Sequence, residues 1–130
     1  MTDSTRFAFT KVFVDDLSAE ASFYCSIFGL KEKARLSLGE GADALEEVIL
    51  TSERGDDSSL VLWRYLARAT PTPGEATVGF NVIDIHSTVK QVTESGGRVV
   101  EPPNELPGHG VLYSFVTDPE GHLIEIVQNC

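Results

Sequence analysis

Cysteine is scarce in this chain. Cys25 and Cys130 are the only two, too few for a disulfide framework or a thiolate metal site. Basic residues are scarce as well: ten Lys and Arg stand against twenty Asp and Glu, a net charge of −10 with His neutral. Nucleic-acid backbones and anionic membrane surfaces repel such an anion, so neither is an expected partner. No apolar run approaches the roughly 18 residues of a membrane-spanning helix. The opening MTDSTRF has no apolar signal-peptide core, so the expectation is a soluble, reduced, cytoplasmic protein. Also missing are GxSxG, the phosphate-binding GxxxxGK, GxGxxG, and any histidine pair at i, i+2 or i, i+4. GEGADA (39–44) is acidic and unsuited to cradling phosphate. What remains is 130 residues, 42% of them hydrophobic, enough to fill the core of one ordinary domain.

That domain is written as two similar halves. Residues 7–17, FAFTKVFVDDL, alternate as a strand and end in acidic residues. Ser18 is a plausible N-cap for a helix carrying Phe23, Tyr24, Ile27 and Phe28, which Gly29 closes. Residues 76–85, ATVGFNVIDI, form a second such strand, followed by a helix with Val89 and Val92 inward and Gly96-Gly97 as its stop. Val14, Asp16 and Gly29 recur as Val82, Asp84 and Gly97 at one offset of 68 residues. Three strand-like runs follow each helix, near 31–38, 45–52 and 58–65, then near 98–101, 111–117 and 122–128. Asp118-Pro119-Glu120-Gly121 makes a tight turn between the last two. The pattern predicts an α+β fold of two βαβββ modules, about 6–66 and 76–130, joined by a Pro- and Gly-containing linker over about 67–75. Residues 37–59 carry seven carboxylates and one Arg and read as mostly solvated edge and loop.

The motifs VxDLxxxxxFYxxxFGL (Val14 to Leu30), Gly96-Gly97 and FVTDPEGHLIEIVQ (Phe115 to Gln128) resemble the vicinal oxygen chelate superfamily. That group includes glyoxalase I, bleomycin-resistance proteins and extradiol dioxygenases. The resemblance implies curved mixed sheets around a cup-shaped cavity, and commonly a homodimer. It does not imply one reaction. Metal-using members of the family place a ligand on the first and last strand of each module, here Phe9, Leu62, Thr77 and Glu125. Phe and Leu donate nothing to a cation, and a Thr hydroxyl is a poor neutral ligand. The expectation is therefore no metal and no cofactor.

Strand alternation assigns the cup face to Phe9, Lys11 and Phe13, to Leu60, Leu62 and Arg64, to Thr77, Gly79 and Asn81, and to Leu123, Glu125 and Val127. Trp63 falls on the helix face. The expected ligand-binding set is Phe9, Lys11, Phe13, Leu62, Arg64, Thr77, Asn81, His109 and Tyr113, with His109 on a PGHG loop at the cup mouth. Glu125, flanked by apolar residues, must pair, bind a metal or take a raised pKa. In the last state it serves as a general base near neutral pH. In the first it is salt-bridged to Lys11 or Arg64 and inert. Cys25 has no nearby cation to activate it.

Two functions fit. One is a metal-independent, glyoxalase- or bleomycin-resistance-like protein that binds a small organic molecule, with proton-transfer chemistry at Glu125. The other is a lyase or isomerase resembling lactoylglutathione lyase, with a divalent metal at a non-standard site. The −10 charge favours cationic ligands, while Lys11 and Arg64 favour anionic ones, and both remain open at the level of sequence.

Overall fold

A computed structural model describes residues 6–129. They divide into two compact units, 6–25 with 29–71 and 26–28 with 72–129.

Unit one begins with strand β1 (Phe9–Phe13) and helix α1 (Leu17–Phe28). Asp16, not Ser18, caps the helix: its side chain accepts from the Ala19 N–H at 3.0 Å. A carboxylate two residues earlier reaches an N-terminal amide that has no partner within the helix. Gly29, at φ 68°, closes α1 in the left-handed conformation. Strands β2 (Lys31–Leu38), β3 (Leu45–Thr51) and β4 (Ser59–Tyr65) follow. The sheet order is β1-β4-β3-β2, with β1–β4 parallel and the other pairs antiparallel. Val48, Leu50 and Leu62 on one face of this sheet have no exposed surface.

Unit two repeats the plan with β5 (Thr77–Asn81), α2 (Ile85–Glu94), β6 (Arg98–Leu106), β7 (Val111–Thr117) and β8 (Leu123–Asn129). The order β5-β8-β7-β6 again has one parallel pair, β5–β8. Asp84 caps α2 as Asp16 caps α1, its side chain accepting from Ser87 N at 3.1 Å. The Gln128 side chain reaches from β8 to accept the Ile85 N–H at 2.7 Å, satisfying a further open amide of α2. Val89, Val92, Val116, Ile124 and Ile126 form the core between α2 and its sheet. The last turn of α1 belongs with this unit, where Phe28 stacks on Phe80 with centroids 3.9 Å apart.

One boundary differs markedly from expectation. Strand β6 runs on to Leu106 through Pro102-Pro103 instead of stopping at 101. It is an edge strand, where a missing N–H goes unnoticed, and its register shifts between Glu101 and Asn104 to absorb the prolines. Most carboxylates of the stretch 37–59 are exposed, as expected, with Glu47 at 6% exposure the buried exception.

Candidate functional site

The strand register decides which side chains share a face. In unit one Lys11 lies opposite Val61, Phe13 opposite Trp63, and Glu47 opposite Trp63 on the other side. Phe9, Lys11 and Phe13 therefore stand beside Val61, Trp63 and Tyr65. Val12 pairs with Leu62, which places Leu62 and Arg64 on the opposite, core-side face. This corrects the sequence assignment for β4 by one residue. Leu62 is completely buried among Val48 and Leu50, and Arg64 pairs with Glu46 at 3.7 Å. The strand is apolar on both faces, so alternation alone gave no phase.

The face so formed is aromatic. Phe13 stacks on Tyr65 at 5.3 Å and tilts against Trp63 at 5.7 Å. The Lys11 ammonium lies 3.7 Å from the Trp63 ring centroid and 5.6 Å from that of Phe9. Glu47 Oε2 is 3.5 Å from the same ammonium but receives no hydrogen bond, and neither does the buried Trp63 Nε1–H find an acceptor. Trp63, expected on the helix face, lies instead on the face of Lys11 and Phe13, and Glu47 was not among the expected site residues. The only signal was strand β3 itself, LEEVILT, in which period two sets Leu45, Glu47 and Ile49 on one face.

In unit two Gly79 lies opposite Glu125, Asn81 opposite Val127 and Thr77 opposite Leu123. Phe115 faces Glu125 and Tyr113 faces Val127 from the other side. Thr77, Asn81, Tyr113 and Glu125 thus share the face away from α2, with Phe115 edge-on to Tyr113 at 6.1 Å. Glu101 follows Phe115 in the same cross-strand row. Glu125 is half-buried and makes no hydrogen bond or ion pair among the described residues. Lys11 and Arg64 are engaged by Glu47 and Glu46 instead. Glu125 is thus a half-buried carboxylate with no cation beside it among the described residues, next to Gly79, which has no side chain.

His109 is exposed in the turn between β6 and β7, where its N–H donates to the Leu106 carbonyl at 3.2 Å. His122 belongs to the turn before β8. There the buried Asp118 accepts from the Glu120 and His122 amides and lies 2.8 Å from His122 Nδ1. Burial, and secondly the neighbouring Glu32 carboxylate, push the Cys25 thiol up in pKa, the wrong direction for a nucleophile.

The pairing also tests the metal site that the family resemblance implies. Glu125 lies beside the third residue of β5, and its counterpart beside the third residue of β1 is Val61, not Leu62. The first-module donors are then Phe9 and Val61, and the second-module donors Thr77 and Glu125. One carboxylate and one neutral hydroxyl do not make a divalent-metal site, so these residues do not fit one.

The sequence profile described as the Glyoxalase/Bleomycin resistance protein/Dioxygenase superfamily matches residues 6–126. A probable lactoylglutathione lyase from Synechocystis is 28% identical, with 92% of each chain covered. The lactoylglutathione lyase of Arabidopsis thaliana is also 28% identical; 97% of this chain aligns with 45% of that longer protein. Among solved structures, a glyoxalase family protein from Bacillus cereus superposes with a TM-score of 0.85 at 22% identity, covering 98% of this chain and 97% of the other.

Proposed function

Because the chain belongs to the glyoxalase/bleomycin resistance protein/dioxygenase superfamily, we propose that it binds a small organic molecule without a metal and exchanges a proton with it at Glu125. The observation that carries this reading is the state of Glu125: a half-buried carboxylate between apolar neighbours on β8, with no hydrogen bond or ion pair among the described residues. Such a group is partly open to solvent, as a general base must be to meet its substrate. Thr77, Asn81 and Tyr113 supply polar contacts on the same face, Phe9, Lys11 and Phe13 line the face of the first sheet, and His109 stands at the end of the second. The proton removed is one α to a carbonyl, which a carboxylate base takes when the carbonyl is polarised. The protein acts as a homodimer.

The test is deuterium uptake from D2O into carbonyl compounds offered to the protein. Glu125→Gln is expected to reduce exchange by about 10²-fold or more. Unchanged exchange would end the base role.

One observation favours a second reading, the likeness to lactoylglutathione lyases across nearly the full length. In that reading the chain turns over lactoylglutathione with a divalent ion held at a non-standard site. Elemental analysis, with melting measured with and without Zn²⁺, Ni²⁺, Mn²⁺ or Fe²⁺, separates the two. Stoichiometric metal with clear stabilisation supports the second, and neither metal nor shift supports the first.

A further inference from the structure

The Lys11 ammonium occupies a seat with three walls: the Trp63 ring face, the Phe9 ring, and the Glu47 carboxylate. Indole is the best aromatic face for a cation, and the carboxylate is almost wholly withdrawn from water, with 8% of its side chain exposed. A buried carboxylate needs both charge balance and hydrogen bonds. Lys11 supplies the charge but no directed N–H, which leaves Glu47 Oε2 without a donor. The occupant is poorly matched to its seat. It is also removable, because the Lys11 side chain is 31% exposed and its flexible four-carbon stem reaches water.

We propose that this seat is the binding site for the head of an organic amine cation carrying at least one N–H, and that Lys11 is its built-in competitor. On binding, the ligand ammonium takes the place over Trp63 and donates to Glu47 Oε2, while Lys11 swings into solvent. The proposal rests on the reading that these sheet faces take up a small molecule, and it names the chemical class for the first sheet. It also resolves the conflict over ligand charge. Both basic side chains considered for the site, Lys11 and Arg64, are neutralised by carboxylates of β3, while the chain as a whole carries −10 and draws cations in.

Trp63 is the only tryptophan, so its fluorescence reports the seat directly. The experiment titrates the full chain with n-butylammonium and with tetramethylammonium, which lacks an N–H. In Lys11→Ala the tethered competitor is gone, and n-butylammonium is expected to give a saturable change with affinity about tenfold or more above wild type. Tetramethylammonium binds more weakly. Adding Glu47→Gln to Lys11→Ala reverses the gain, whereas adding Glu53→Gln, which removes the same charge at an exposed site, leaves the affinity within about twofold. No saturable signal in Lys11→Ala, or equal affinity with and without Glu47, overturns the proposal. Should Lys11→Ala not fold, the wild-type titration decides: saturable quenching sustains the seat and a flat response removes it. Deuterium exchange that depends on Glu125 without any amine binding would sink this proposal alone. Binding without exchange would sink the proton-transfer reading alone.

Discussion

Three carboxylates with similar sequence surroundings have different fates, set by a few ångströms. Glu46 and Glu47 are adjacent on β3, yet one pairs with Arg64 on the core-side face and the other with Lys11 among aromatic rings. Glu125 has neither partner. Burial acts on Cys25 in a way that can be measured. Its thiol pKa is raised by desolvation and secondarily by Glu32, so the folded state holds the proton longer than the unfolded one. Stability linked to this group is therefore present below the unfolded thiol pKa and is lost as pH rises through the folded value. In a Cys130→Ser background, iodoacetamide is expected to alkylate Cys25 more slowly than a free thiol at about pH 8. The rate should catch up only at higher pH; a rate at or above that of free cysteine would contradict the shift. The partial burial of Glu125 was legible from its apolar neighbours. The burial of Glu47 was not, because it comes from strands that lie beside that residue only after folding.

The repeated glycines show what an element demands of a position. Gly29 sits at φ 68° with open space around a would-be Cβ, so Gly29→Ala meets only backbone strain of about 1 kcal/mol. Gly97 has no such dihedral. A Cβ there would fall on the Thr117 carbonyl oxygen and on Val92, where the chain passes from α2 into β6. Gly97→Ala is expected to cost about 3 kcal/mol, and urea unfolding midpoints of the two variants should rank in that order. The βαβββ repeat and the bounds of β2 were readable because period-two alternation and glycine stops are local signals. The helix cap was misread by two residues because Asp16 and Ser18 are both good caps. The phase of β4 was misread because Leu60, Val61 and Leu62 are all buried, which erases alternation. The two prolines of β6 hid an edge strand for the reason that edges tolerate them.

At the scale of the whole molecule, Phe7, Phe9, Leu36, Leu38, Val100 and Leu106 all remain substantially exposed, and strands β2 and β6 end their sheets unpaired. Exposed apolar residues and open edges call for a cover. Light scattering is expected to return twice the 14.1 kDa chain mass; a monomer at tens of micromolar would reject the dimer. Among the described residues no helix is long and apolar enough to cross a membrane.

In each unit the first strand pairs in parallel with the last, β1 with β4 and β5 with β8. Nearly the whole unit must therefore be spelled out before its sheet can close. During synthesis β1 waits for β4, and β5 waits for β8, with an unsatisfied edge in the meantime. Such long-range pairing slows folding and lengthens the exposure of sticky edges. All four strands of the first sheet lie before residue 66, so each of its pairings has both partners synthesised before β5 begins.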